Sequence, residues 1–313
     1  MSDTYDYDEI LQLKTAWYYY MEGLTQQEIG QRLGIPRLRV NRLIDRARKT
    51  GMVQFSIRSG HTTRLELERQ LIETFHLRDA LIAPAPIKEE EANENVALAA
   101  AGYIYDQMGK QDFLNMGYGD TMSRLLNHLG ALSDLPVNVV SLTGGVSYYL
   151  PNVQSSVFNV KLHLIPTPLV LQTKSAVDAM RKEPKVIEAF ELTSLARMTI
   201  VGIGALDEKS TIRTNGVLSY NDNLSLSIHG AVGDILCHFF DSDGNLISSS
   251  LEERLISTPL SQIRKMKNVI GVAAGAVKAA SILAALKGNY LNVLITDEPT
   301  ARKVLDLSSD SEQ

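Results

Sequence analysis

The fifteen residues before Gly51, PRLRVNRLIDRARKT, hold six basic side chains, Arg37, Arg39, Arg42, Arg46, Arg48 and Lys49, against one acidic side chain, Asp45. Guanidiniums pair with phosphates and fork onto the acceptor edge of guanine, so a face of this composition suits nucleic acid. Val40, Leu43, Ile44 and Ala47 fall at i, i+3, i+4 and i+7, which predicts a helix from Pro36 to about Lys49 with one buried stripe. Leu38 and Arg42 then point directly away from the core, flanked by Arg39, Asn41, Asp45 and Arg46. Arg37 at the helix tip, with Leu38, Asn41 and Arg42, is placed to read base edges, and Arg39 and Arg46 to hold phosphates.

A second chemistry lies in glycines at the ends of apolar runs: MGYGD, LTGGV and VGIGA. Backbone amides exposed at such turns can cradle an anion. In LTGGV, Thr143 adds a hydroxyl beside Gly144 and Gly145, which makes it the best phosphate candidate; Gly117 and Gly119 in MGYGD are a weaker one. For each loop the competing reading is a tight turn with no ligand. Asp234 stands among small and apolar residues in GAVGDIL, and Lys278 interrupts the small-residue stretch AAGAVKAASILAALKG, where a lysine must snorkel or meet an anion. Asp297, after the run NVLIT, is expected to cap the last helix.

These residues need elements to position them. Before the basic helix, TQQE places Thr25 and Glu28 at capping-box spacing and starts a short helix that turns Ile29 and Leu33 inward. Gly34 suits the left-handed turn that ends it, and Pro36 the first turn of the next helix. The start of the short helix can offer amides to a phosphate, which brings Gln26 to the DNA backbone. A first helix, Ile10 to Met21, carries Ile10, Leu13, Trp17 and Tyr20 on one stripe. Trp17 and Tyr20 are expected in the core, and Tyr19, off that stripe, to lean toward a partner. Charge alone would also fit a solvated helix face. The cap, the glycine turn, the proline and the buried stripe together favour a helix-turn-helix. GMVQFSIR follows as a short strand.

From residue 59 strands and helices alternate. Strands are expected in DALIAPAP, FLNMGYG, VNVVSLTGG, KLHLIPTP, MTIVGIG, NVIGVAAG and LNVLITD, with helical stretches between them. This alternation predicts a mostly parallel sheet. The expected organisation is a small helix-turn-helix domain, 1–58, and a large Rossmann-like α/β domain, 59–313, with a disordered tail after about residue 307.

The whole chain has 313 residues and a formal net charge of -5, so the basic face is local and the negative charge belongs mainly to the large domain. The single cysteine, Cys237, excludes an internal disulfide and fits a reducing compartment. The acidic, polar start is no secretory signal, and no apolar run reaches the ~18 residues of a membrane span. A cytoplasmic protein is expected. The scattered histidines suggest no metal site, and no cofactor is called for.

On these pieces, AWYYYMEGLTQQEIGQRLGIPRLRVNRLI, LTGGV, LIPTPL, VGIGA, GAVGDILCHFFDSDGN and VIGVAAGAVKAASILAALKGNYLNVLITDEPTA, the chain resembles the SorC family of bacterial sugar-operon regulators over almost its whole length. The resemblance implies an effector domain similar to sugar-phosphate isomerases of the glucosamine-6-phosphate deaminase type. It implies a phosphorylated sugar or related small molecule as effector, and dimers or tetramers on palindromic operator DNA. By motif position, Thr143, Gly144 and Gly145 fall near the effector phosphate, and Asp234 and Lys278 match polar positions around the ligand. Pro36 departs from the Thr or Ser cap that relatives often carry. The implied function is a repressor of a carbohydrate operon, relieved by its effector. The alternative is a sugar-phosphate isomerase or deaminase with a DNA-binding appendage. That chemistry needs a positioned base; Asp120, Asp234 and Asp297 are available carboxylates at strand or loop ends, but none comes with a recognisable His or Glu partner nearby in sequence, so no enzyme is expected.

Overall fold

A computed structural model describes residues 7–53, 62–145, 159–206, 212 and 216–310. The chain forms two compact units, Met1–Thr62 and Thr63–Gln313.

In the first unit, α1 (Tyr7–Tyr20), α2 (Gln26–Leu33) and α3 (Arg37–Lys49) pack around Ile29, Val40 and Ile44. The capping box is complete: the Thr25 hydroxyl accepts from the Glu28 amide at 3.3 Å, and the Glu28 carboxylate accepts from the Thr25 amide at 2.8 Å. Gly34 closes α2 at φ 67° and donates its N–H to Gly30 O. Gly30 is needed where the next turn passes, since a Cβ there would sit 2.8 Å from Ile35 O. Val40, Leu43, Ile44 and Ala47 are the buried stripe of α3. Pro36 is the N-cap of α3 rather than its first residue, with ψ 144° and no side-chain cap bond, because helical geometry begins at Arg37.

The face expected for α1 is corrected. Leu13 and Trp17 are exposed, and the buried residues are Leu11, Gln12, Thr15 and Ala16. Short side chains let α1 approach α3 closely, and the polar ones are satisfied: Thr15 Oγ1 donates to Leu11 O at 2.7 Å, and Gln12 Nε2 to Thr50 Oγ1 at 3.2 Å. The strand expected in GMVQFSIR lies, from residue 54, outside the described residues.

The second unit contains ten strands among the described residues: β1 (Asp79–Ala83), β2 (Phe113–Met116), β3 (Val137–Ser141), β4 (Val160–His163), β5 (Ala196–Gly202), β6 (Gly204–Ala205), β7 (Gly233–Ile235), β8 (His238–Phe240), β9 (Val269–Val272) and β10 (Val293–Asp297). Its helices are α4 (Thr62–Phe75), α5 (Ala92–Gln107), α6 (Asp120–Leu132), α7 (Lys174–Met180), α8 (Pro184–Leu192), α9 (Tyr220–Ile228), α10 (Leu260–Ile263), α11 (Ala279–Lys287) and α12 (Glu298–Asp310). Seven strands form one sheet in the order β1-β10-β9-β5-β2-β3-β4, and every neighbouring pair is parallel. Alternate residues feed two cores: Val201 and Leu294 join one cluster, Ile200, Val293 and Ile295 the other. Both faces are therefore covered, which is why β9 reads as an unbroken apolar run and β10 opens with one, Val293 to Ile295.

The chain winds outward from β2 through β3 to β4, then returns to the far side of β2 as β5. That reversal opens a crevice at the carboxyl ends of β2 and β5. A three-stranded antiparallel sheet, β6-β7-β8, is absent from the sequence reading; its strands have two or three residues, too short for a periodicity to register. The tail is corrected in part: Ser308, Ser309 and Asp310 continue α12.

Candidate functional site

Each unit carries a candidate surface. In the first, Arg37, Leu38, Arg39, Asn41, Arg42 and Arg46 are all exposed on the outer side of α3. Leu38 is 63% exposed. Arg42 and Arg46, one turn apart, form no ion pair among the described residues. Arg39 is held by Asp8 of α1 at 3.1 Å. Gln26 Nε2 donates to Asn41 Oδ1 at 3.3 Å, and Arg37 Nε donates to Gln26 Oε1 at 3.5 Å, so the starts of α2 and α3 share a polar cluster. Tyr19 is only half-exposed: it meets Tyr20 edge-on, 4.9 Å between ring centroids, and packs on the Ile29–Val40–Ile44 core.

In the second unit, a cavity of 530 Å³ opens at the carboxyl ends of β2, β5 and β9. Tyr118, Gly119, Asp120 and Thr121 form one wall, Gly202 to Ala205 a second, and Ala274, Gly275, Val277 and Lys278 a third. The volume suits a small metabolite. Gly119, at φ 123°, turns the chain from β2 into α6, so the first-turn amides of α6 lack helix acceptors beside the cavity. Thr121 is 6% exposed, and its hydroxyl has no hydrogen-bond partner among the described residues.

Asp234, on β7, is the buried carboxylate of the cavity, 8% exposed, and Oδ2 accepts from the Cys237 amide at 3.0 Å. Burial pushes its pKa up to about 6, against the opposing pull of the Cys237 amide, His238 and Lys278. Gly204 is glycine because a Cβ would collide with Asp234 Oδ1. Behind it, His238 is buried, with Nδ1 2.8 Å from Glu252. The β7–β8 turn places Leu236 at φ 56° and Cys237 at φ 66°, and Leu236 lines the cavity. Asp297 caps α12 through the Thr300 amide at 2.9 Å, as expected, and with its other oxygen accepts from the Gly275 amide of the cavity wall at 2.8 Å. At the mouth, Asp120 accepts from Asn93 Nδ2 at 3.0 Å and from Arg124, which also bonds Glu94 at 2.7 Å. Arg124 holds the Glu94 carboxyl below its ordinary pKa.

Of the residues singled out in the sequence, Gly119, Asp234 and Lys278 come together here. Thr143, Gly144 and Gly145 do not. The Gly144 amide donates to Ile256 O at 2.9 Å, the Gly145 amide to Thr167 O at 2.8 Å, and Thr143 bridges Ser257. Those amides are committed to packing, and a Cβ on Gly144 would sit 2.5 Å from Pro168 O. The rest of that run, from Val146, lies outside the described residues. Gly117 is also spent on structure: its amide donates to Ile200 O, and a Cβ would sit 2.9 Å from Leu236 Cδ2. Sequence reasoning missed Thr121, Asn93 and Tyr118. A strand end running straight into DTMSRLLNHLGAL was the available signal for Thr121, since the residue after Asp120 falls in the first turn of that helix.

Residues 60–306 match the family described as "Putative sugar-binding domain", and residues 16–50 match "Sigma-70, region 4". Over 306 residues the chain is 34% identical to "Transcriptional regulator LsrR" of Klebsiella pneumoniae subsp. pneumoniae, covering 96% of this chain and 94% of that protein. The chain belongs to the SorC/DeoR family of sugar-binding transcriptional regulators. This SorC-family regulator is also 33% identical to "Transcriptional regulator LsrR" of Escherichia coli (strain K12), over 93% of both chains. Among solved structures, the full-length sorbitol operon regulator SorC from Klebsiella pneumoniae superposes with a TM-score of 0.69 at 26% identity, covering 96% of this chain and 99% of that one. The family resemblance and the fold class read from the sequence are thus borne out: a helix-turn-helix of the sigma-70 region 4 kind and a parallel seven-stranded α/β sugar-binding domain. These relatives are transcriptional regulators, not enzymes. No helix among the described residues is long and apolar enough to cross a membrane.

Proposed function

We propose that this regulator is a cytoplasmic repressor of a carbohydrate-utilisation operon, released from a palindromic operator when a phosphorylated sugar enters the strand-end cavity. The observation that carries the reading is Thr121 on the cavity wall, in the first turn of α6, beside amides with no helix acceptor. Together they form an anion seat, with Lys278 on the opposite wall. The phosphate seat is therefore moved from Thr143, Gly144 and Gly145 to Gly119 and Thr121. Asp234 and Asn93 are suited to sugar hydroxyls. On α3, Leu38, Asn41 and Arg42, with Arg37, read bases. Arg39 and Arg46 hold phosphates, while Gln26 orients Asn41 and Arg37 from the start of α2. Tyr19 supports this surface from the core.

Release requires that the sugar phosphate bind the DNA-free form more tightly than the DNA-bound form. The test is an operator gel shift with a panel of sugar phosphates and their unphosphorylated parents. Phosphorylated compounds should release DNA, and Thr121→Val should raise the concentration needed. Release by an unphosphorylated sugar alone, or an unchanged response in Thr121→Val, refutes the anion seat. Tighter operator binding on adding the effector would make the chain an activator or co-repressor-dependent.

A further inference from the structure

Asp297, the last residue of β10, is a buried carboxylate, 1% exposed, whose two oxygens serve two different elements. Oδ1 accepts from the Thr300 amide at 2.9 Å and caps α12. A cap needs one acceptor, and Ser, Thr or Asn would supply it as well. The second oxygen is surplus to that task. It accepts from the Gly275 amide at 2.8 Å, 22 residues away in the chain. Between β9 and β10 the backbone ladder extends to the Ala273 amide, which donates to Ile295 O at 3.1 Å. Two residues further along both strands, the Asp297 side chain takes the place of a backbone carbonyl.

Gly275 is where the chain leaves the sheet. Its φ of 99° leads into a single 3₁₀ turn, Ala276–Lys278, closed by the Lys278 amide on Gly275 O at 2.9 Å. Lys278 is half-buried, lines the cavity beside Gly275, and lies within Coulombic reach of Asp234. Holding the Gly275 amide fixes the peptide plane from which that turn starts. We propose that Asp297 is a positioning residue for the effector: by holding Gly275 it sets where the Lys278 ammonium stands in the cavity. The inference rests on the cavity being the effector site. Among capping side chains Asp alone has two acceptors and no donor. Asn would turn its NH₂ toward one amide or the other, donor against donor. Ser or Thr would cap α12 and fall short of Gly275. A wall ordered before the effector arrives costs no ordering on binding, so Asp297 raises affinity without touching the ligand.

The test begins without ligand. In Asp297→Ser, hydrogen exchange read by mass spectrometry should quicken at least about tenfold in peptides covering 274–278, and stay at the wild-type rate at the start of α12. Acetic anhydride should label Lys278 faster than in the wild type. Asp297→Thr, which fills more of the buried space, should behave as Asp297→Ser does. Operator release is then titrated with whichever sugar phosphate of the panel acts at the lowest concentration. Asp297→Ser should raise the concentration needed about three- to tenfold. In a Lys278→Met background the same substitution should change nothing further, because Asp297 acts through that ammonium. Wild-type exchange and labelling in both variants overturn the proposal. So does an unchanged release, or a shift as large with Lys278→Met as without it, which would leave Asp297 a merely structural role. If exchange and labelling change but no sugar phosphate releases the operator, the assignment of the cavity fails and the hold of Asp297 on Lys278 stands.

Discussion

Replacing Asp234 by Asn should stabilise the large domain at neutral pH and do so in a pH-dependent way. The carboxylate lies buried beside the cavity, and its pKa is raised from 3.8 to about 6. At 1.36 kcal/mol per pH unit this corresponds to about 3 kcal/mol. The folded state holds the proton more tightly than the unfolded chain. Between pH 3.8 and about 6 the native state is protonated and the unfolded state is not, so wild-type stability falls as pH rises through that window. Above about 6 both states are ionised and the full penalty applies. Asn cannot ionise and retains an oxygen for the Cys237 amide. The variant and wild type should therefore melt together below pH 4 and separate by about 3 kcal/mol near pH 7. For a domain of this size the gap is about 6–12 °C in melting temperature. Calorimetry of both proteins at four or five pH values reads it directly. A gap that does not change with pH, or a variant less stable than wild type at pH 7, would refute the account of Asp234 as an inadequately solvated carboxylate. The same variant should bind the effector less tightly, if Asp234 accepts from a sugar hydroxyl. Stability and ligand affinity would then move in opposite directions.

Gly144→Ala should cost about 1–3 kcal/mol of stability, since the new Cβ meets Pro168 O at 2.5 Å and Thr167 O at 2.7 Å. Effector affinity measured below the melting transition should stay at the wild-type value; a selective loss of phosphosugar binding would return that loop to the ligand site. Arg42→Ala should weaken operator binding by about 1–3 kcal/mol at fixed salt with no change in melting temperature, and an unchanged affinity would mean that α3 meets DNA by another face.

Much of this architecture was legible because its signals are local. The α3 stripe needs only four residues at helical spacing, and the Thr25–Glu28 box needs two. Each of the seven strands of the parallel sheet overlaps an apolar run read from the sequence, because strands covered on both faces are built mainly from apolar residues; β4 and β5 begin one and two residues before their runs. The failures share a cause. Trp17 looked like core because a large apolar residue on a helical stripe usually is; α1 instead uses Thr15 and Ala16, whose small size counts only once α3 is beside them. Thr143, Gly144 and Gly145 looked like an anion cradle because glycines after a strand expose amides. Whether those amides are free depends on Thr167 and Ile256, which lie far along the chain. The cavity itself assembles three strand ends from residues 118, 204 and 274, a juxtaposition that only the sheet order specifies.

The β7–β8 turn has a consequence for how this cavity can change. Two-residue hairpin turns with positive φ ordinarily take Asn-Gly, and a leucine and a cysteine there each carry a conformational penalty of about 1–2 kcal/mol. Substituting the comfortable pair would relax the turn and also erase the leucine that lines the wall and presses on Gly117. A β-branched residue at 236 would fit the turn still less well. Position 236 is therefore nearly frozen, held by the shape of the cavity on one side and backbone geometry on the other. A change in the shape of the cavity would run more readily through Val277, which lines it, is 60% exposed and belongs to none of the core clusters.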